Sequence, residues 1–205
     1  MELDTSFQMA TSNLRFGPGC TREVGQDLVD LQVKRTLLVI DPALLSLPVG
    51  ETVMESLRSA GVAFDIFDGV TVEPTDDSFR QASRVAVEGR FDSFVAVGGG
   101  SAMDTAKAAN LYSTWPADFF DYVNAPIGLG KPVPGALKPL IAIPTTAGTG
   151  SETTGTAIFD WREKKVKTGI ANRHLKPLLG LVDPENTRTQ PPEVAASCGL
   201  DVLCH

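Results

Sequence analysis

The chain is poor in the residues that build disulfide frameworks, nucleic-acid surfaces and membrane spans. Its 205 residues include three cysteines, Cys20, Cys198 and Cys204, an odd number with neither CxxC spacing nor a framework pattern. Disulfide-stapled domains carry dense, even sets, so reduced thiols in a cytosolic compartment are expected. Lys and Arg number 18 against 25 Asp and Glu, a net charge of -7, and the cations are scattered along the chain. Phosphate backbones require clustered cations, which excludes DNA and RNA as partners. No apolar run approaches the roughly 20 residues that cross a bilayer, so no membrane span is expected. Met1-Glu2-Leu3-Asp4 carries acids where a leader would carry Lys or Arg, so the expectation is no targeting segment and a cytoplasmic location. Repeats and low-complexity tracts are also missing. What is present, 42% hydrophobic and 21% charged residues, suits one large domain with a core.

Strand and helix patterns alternate through most of this length. Short aliphatic runs at 36–40, 63–67, 94–97 and 140–143 read as buried strands, each followed by turn residues. Between them, 21–31, 51–60, 76–88 and 102–111 carry apolar residues at helical spacing, two of them ending near Gly61 or Gly89 as C-caps. This alternation predicts an α/β fold with a mainly parallel sheet and helices on both faces. The character then changes. Residues 115–135 are rich in Pro and Gly, and 156–160 with 165–170 read as a β-hairpin around Trp161-Arg162-Glu163-Lys164. Pro191-Pro192 opens a final helix that is apolar nearly all round, through Val194, Ala195, Ala196, Cys198, Leu200, Val202 and Leu203, and such a helix expects burial.

Four features carry chemistry. Gly98-Gly99-Gly100-Ser101-Ala102-Met103-Asp104 lies where a buried strand meets a helix. Glycines there let backbone N–H groups approach a pyrophosphate, and the helix N-terminus adds partial positive charge. Ser101 would cap the helix, with Asp104 as the acidic member of the pair. Met103 stands where GxGxxG needs its third glycine, so this is not a standard dinucleotide fingerprint, and a plain tight turn is the alternative. Pro144-Thr145-Thr146-Ala147-Gly148-Thr149-Gly150-Ser151-Glu152 also follows a strand, and its hydroxyls suit ribose and phosphate oxygens or simply a surface loop. Asp41 ends the first strand, where a carboxylate can bind an adenosine ribose and repel a 2'-phosphate, or merely start an Asp-Pro turn. Finally, Asp201 and His205 stand four apart on a helix and project from one face. They can grip one divalent ion, although two ligands are fewer than catalytic sites usually use. A zinc cluster that adds Cys204, or a local cap with a frayed terminus, are the competing readings.

Taken in order, these segments resemble the iron-containing (group III) alcohol dehydrogenase family, from Ser12 to His205. Within it the chain is most like the hydroxyacid-oxoacid transhydrogenases, through Val72-Glu73-Pro74-Thr75-Asp76, Asp121-Tyr122-Val123 with Ala125-Pro126-Ile127-Gly128, and Lys165-Val166-Lys167 with Gly169-Ile170. The resemblance implies a Rossmann-like nucleotide-binding domain of the dehydroquinate synthase-like type over 1–188, then the start of a helical metal-binding domain over 189–205, the rest of that helical domain being absent. It implies NAD, rather than NADP, on Asp41, Gly98, Gly99, Gly100, Ser101, Asp104, Thr145, Thr146, Thr149 and Lys167, with Lys167 near the nicotinamide end. It further implies Fe(II), or alternatively Zn(II), on Asp201 and His205, with two more histidines beyond this chain; His174 matches no ligand position and reads as a solvated loop residue. No catalytic residue separate from the metal site is implied.

The corresponding function is hydride transfer between an alcohol or hydroxy acid and a nicotinamide cofactor. The transhydrogenase likeness implies 4-hydroxybutyrate with the 2-oxo acid 2-oxoglutarate as acceptor, and a simple primary alcohol is the alternative. A different class stays open, an NAD-binding or interaction module without turnover. Uncovered apolar surface on the final helix would favour a homo-oligomer or association through that helix.

Overall fold

The computed structural model describes residues 11–204. In chain order the elements are β1 (Leu14–Phe16), α1 (Val24–Asp30), β2 (Arg35–Ile40), α2 (Pro48–Ser59), β3 (Ala63–Phe67), α3 (Asp76–Gly89), β4 (Ser93–Gly98) and α4 (Gly100–Thr114). They continue with α5 (Phe119–Tyr122), β5 (Leu140–Pro144), β6 (Thr156–Trp161), β7 (Val166–Ala171), β8 (Leu179–Val182) and α6 (Pro192–Cys204). Six strands form one sheet in the order β1-β8-β5-β4-β2-β3, and every pairing in it is parallel. β6 and β7 form a separate antiparallel hairpin.

The inner strands β2, β4 and β5 are buried on both faces, so their apolar runs are continuous rather than alternating, while the edge strands β1 and β3 are largely exposed, against the expectation of burial for 63–67. Every residue of β4 and β5 is buried. Period-2 geometry still sorts the side chains. Leu38, Ile40, Val95, Val97 and Ile143 meet Val24 and Leu28 of α1 and Val53 and Leu57 of α2. On the opposite face Leu37, Val39, Phe94 and Ala96 meet Ala82 and Ala86 of α3 and Ala102 and Ala106 of α4. Full burial of each large aliphatic side chain contributes about 1.5–3 kcal/mol. A third cluster, Phe79, Tyr112, Phe119, Tyr122, Phe159 and Ile170, joins the Pro- and Gly-rich segment and the hairpin to α3 and α4.

Local signals explain most boundaries. Thr75 caps α3 by accepting from the Ser78 amide (3.1 Å), while the Thr75 amide donates to Ser78 Oγ (2.8 Å). Gly61 follows α2 with φ 71°, the left-handed conformation expected of a C-terminal glycine. Gly89 differs from the expectation. It is the last residue of α3 and Arg90 takes the left-handed cap (φ 51°); the glycine at 89 serves a close approach instead, since a Cβ there would stand 2.1 Å from the Phe91 ring. Two strands were not foreseen in the sequence. β1 and β8 have three and four residues, too few for periodicity to register, and they are held by pairing Leu14 with Gly180 and Phe16 with Val182.

The final helix departs most from its expectation. None of the described residues of α6 is buried; Leu200 is 64% and Leu203 81% exposed. Burial needs an opposing apolar surface, and α6 approaches the body at Cys198, whose Cβ lies 3.1 Å from where a Cβ on Gly148 would be.

The α1–α2 contact is a close backbone approach. The Gly25 amide donates to Ser56 Oγ (2.9 Å), and a Cβ at Gly25 would lie 2.2 Å from the Ser56 carbonyl oxygen. We therefore expect Gly25→Ala to lower stability by at least about 1–3 kcal/mol, the usual cost of overpacking. Gly17→Ala, where a Cβ meets nothing within 4 Å, serves as the neutral control. Equal urea midpoints for the two variants would contradict this packing.

Candidate functional site

The strand order reverses direction between β2 and β4. From β2 the chain runs outward to β3, then crosses back to β4 and continues to β5 on the other side. α2, which follows β2, packs on one face of the sheet, whereas α4, which follows β4, packs on the other. Loops leaving the C-terminal ends of these two strands must diverge, and the crevice between them is where open parallel sheets place ligands. Asp41 and Gly98 are the residues at this divergence.

Gly98 has φ 146°, and a Cβ there would lie 2.8 Å from Ala102 Cβ and 3.5 Å from Asp41 Cβ. The neighbouring loop closes over the next two glycines. Thr145 donates its amide to the Gly98 carbonyl (3.0 Å), and Cβ atoms at Gly99 and Gly100 would stand 3.2 Å from Thr146 Oγ1 and 2.9 Å from Thr149 Cγ2. The two glycine- and threonine-rich loops thus form one packed ridge at the sheet's edge. α4 starts under that ridge with Gly99 at its N-cap and no side-chain cap. An uncapped N-terminus of a 15-residue helix, with glycines permitting close approach, suits an anionic phosphate group.

The expected Ser101–Asp104 capping pair is corrected by this geometry. Gly99 holds the cap position, and Asp104 turns instead towards the hairpin. Its Oδ1 accepts from Ser151 Oγ (2.7 Å) and its Oδ2 from the Ile158 amide (2.9 Å). Asp41 also has a local bond, since its Oδ1 accepts from the Ala43 amide (2.9 Å) and starts a short 3-10 turn.

Behind Asp104 lies a residue that the sequence reading missed. Lys107 is completely buried. Its Nζ donates to Ser151 Oγ (2.6 Å), the Thr156 carbonyl (2.8 Å) and Thr154 Oγ1 (3.4 Å), and it pairs with Asp104 Oδ1 at 3.3 Å. Burial pulls its pKa below the ordinary lysine value, opposed by the charge of Asp104 and its hydrogen bond. The available signal was a lone lysine among Ala102, Met103, Ala106, Ala108 and Ala109, three residues after Asp104 on the same helix.

A cleft of about 610 Å³ opens beside the ridge and gathers Gly100, Ser101, Asp104, Thr149, Lys167 and Asp201. Asp41, Gly98, Gly99, Thr145 and Thr146 are not among its walls; the contacts above place them next to it along the sheet's C-terminal edge. Lys167 forms a short ion pair with Glu73 across the rim, which holds its pKa above the usual lysine value. Asp201 enters from α6, together with Ser197 and Cys198. His205, its expected partner, lies outside the described residues. Among the described residues no group of three or more His, Cys, Asp and Glu could hold a metal ion, so a complete ligand set is not assembled here. Cys204 is exposed and is not part of the cleft wall, and the zinc-cluster reading, which also needs His205, extends outside the described residues. His174 sits partly buried in a short turn capped by Asn172, away from the cleft.

Known proteins bear on this arrangement. The family described as iron-containing alcohol dehydrogenase matches residues 11–184. The chain is 58% identical over 203 residues to the Mus musculus protein named hydroxyacid-oxoacid transhydrogenase, mitochondrial, covering 98% of this chain and 44% of the mouse protein. The Homo sapiens protein of the same name is 56% identical with the same coverage. The chain therefore spans less than half the length of these relatives. Among solved structures, a 1,3-propanediol oxidoreductase superposes with a TM-score of 0.87 at 31% identity, over 96% of this chain and 50% of that one. A sulfoacetaldehyde reductase from Bifidobacterium kashiwanohense, in complex with NAD+, gives 0.87 at 28% identity, over 97% and 52%. The expected cytoplasmic location is overturned by the relatives, whose names place them in mitochondria. No helix among the described residues is long and apolar enough to cross a membrane. With its mainly parallel α/β sheet and this match over most of its length, the chain belongs to the iron-containing alcohol dehydrogenase family.

Proposed function

We propose that this chain is the nucleotide-binding part of a hydroxyacid-oxoacid transhydrogenase-like oxidoreductase. The observation that carries the reading is the uncapped start of α4 beneath the glycine–threonine ridge, at the divergence point flanked by Asp41. Its backbone N–H groups and helix dipole would hold a pyrophosphate. Asp41 would accept hydrogen bonds from the adenosine ribose and repel a 2'-phosphate, favouring NAD over NADP. Thr145, Thr146 and Thr149 would orient the dinucleotide along the ridge, and Lys167 would face its nicotinamide end. NAD bound there supplies the hydride acceptor for oxidising an alcohol or hydroxy acid and, once reduced, the donor for a 2-oxo acid. The contribution of these residues is alignment and exclusion of water rather than any covalent step.

Asp201 would be one donor to a divalent metal, Fe(II) or alternatively Zn(II), with His205 the second. The relatives are more than twice as long, and two further donors are assigned to length that this chain does not include. The substrate reading follows the transhydrogenase relatives: 4-hydroxybutyrate with 2-oxoglutarate, with a primary alcohol as runner-up. The exposed apolar residues of α6 favour a second reading for the chain by itself, an NAD-binding module that associates through this helix without turnover.

Two results check these assignments. In fluorescence titrations the chain should bind NADH more tightly than NADPH, and Asp41→Ala should narrow that preference by about tenfold, one lost charge-assisted interaction. An unchanged ratio would remove Asp41 from the cofactor site. In a protein that continues this chain to the length of its relatives, chelation should abolish 4-hydroxybutyrate-dependent reduction of 2-oxoglutarate, and Asp201→Ala should cut it by at least about 100-fold. Full activity in that variant would remove Asp201 from the metal site.

A further inference from the structure

The rim of the cleft holds a residue in a costly conformation. Glu73 has φ 54°, one of four non-glycine residues with positive φ among those described. It precedes Pro74, and a residue before proline is pushed towards extended backbone, so the left-handed form is disfavoured twice. Such strain persists only where the surroundings over-determine it. Here they do. The Asp160 amide donates to the Pro74 carbonyl (2.8 Å), Thr75 bridges Asp160 in parallel fashion, and Thr75 is itself fixed as the cap of α3. The result is that the Glu73 carboxylate reaches Lys167 on β7.

Charge gives this arrangement a consequence. Among the described residues, Lys167 is the one cation in a cleft wall that also contains Glu73, Asp104 and Asp201. Asp104 is taken up by Lys107, Ser151 and Ile158. An anionic group drawing close to the Lys167 ammonium therefore competes with the Glu73 carboxylate for its charge. Both partners are more than half exposed, at 56% and 59%, so they can separate without any rearrangement of the core.

We propose that Glu73 is a positioning and specificity residue, a built-in carboxylate that holds Lys167 at the rim of the cleft and competes with anionic ligands for it. The ligand chemistry is a carboxylate or phosphate oxygen pair, supplied by a hydroxy or oxo acid or by a dinucleotide. The placement of Lys167 towards a cofactor rests on the proposed function; the competition itself rests on the ion pair. An exposed pair of this kind sets the competition at no more than about fivefold.

A double-mutant cycle tests this on the intact chain, with Glu73→Gln, Lys167→Met and the double variant. NADH and 2-oxoglutarate are the two probes, each titrated at low and high salt. Glu73→Gln is expected to tighten one probe by up to about fivefold at low salt, with the gain fading at high salt. Lys167→Met should weaken that same probe, and the double variant should match Lys167→Met alone. The probe that responds identifies phosphate or carboxylate as the source. Weaker or unchanged binding of both probes in Glu73→Gln, or a gain that survives in the double variant, overturns the proposal. NMR titration of the Lys167 ammonium gives a readout independent of cofactor binding, since Glu73→Gln should lower its pKa. If the wild-type chain fails to bind NADH, the nucleotide reading falls; the latch then stands or falls on the 2-oxoglutarate cycle and this titration, and an unmoved Lys167 overturns it.

Discussion

A fully buried ammonium group holds the site together. Lys107 rises from α4 into a ring of oxygens that belong to the threonine loop, to the residues after it and to the start of the hairpin. Asp104, one turn earlier, meets the same Ser151 hydroxyl and reaches β6 through Ile158. Desolvating a charge costs several kcal/mol, and only well-formed partners offset it. Three hydrogen bonds and the Asp104 carboxylate do so here. Removing one partner of such a buried pair costs about 3–5 kcal/mol, because the remaining charge is stranded. The glycine loop, the threonine loop and the hairpin that bears Lys167 are thereby fastened to one helix, so the positions of the ridge and the cleft depend on a lysine that is not itself in the cleft wall.

The same network separates what sequence reading can reach from what it cannot. β2, β4 and β5 were legible because near-complete burial leaves unbroken aliphatic runs, as in Phe94-Val95-Ala96-Val97, whereas β3, expected to be buried, lies at the sheet's edge with only Phe67 buried. The helices of both faces were legible from their spacing, and the nucleotide loops from glycine and threonine directly after strands. Lys107 was hidden because its partners lie 44 to 49 residues away, and no local pattern records a contact of that range. Ser101 was misread for a related reason. A capping pair is a local signal, and it lost to Asp104's distant bonds with Ser151 and Ile158. β1 and β8 are too short to carry a period and exist through pairing at the sheet's edge. The exposed α6 shows the limit of hydrophobicity as evidence, since composition reports what a helix would bury against a partner and not whether that partner is in the chain.

Function divides along the same lines. On the proposed reading, the cofactor side of the site would be built from residues that the sheet brings together, Asp41, Gly98 and the threonine loop, and the metal side would depend on Asp201 and on donors that are not among the described residues. Membership in the iron-containing alcohol dehydrogenase family joins the two, while the chain spans 44% of its mouse relative. NADH binding at the nucleotide site is therefore what the proposed reading expects of this chain by itself.

Amide hydrogen exchange with and without NADH measures that directly. If the ridge is the cofactor site, NADH will slow exchange in 98–103 and 145–151 and leave the distant α1–α2 pair unchanged. Protection confined to α1 and α2, or no protection at all under saturating NADH, would contradict the account.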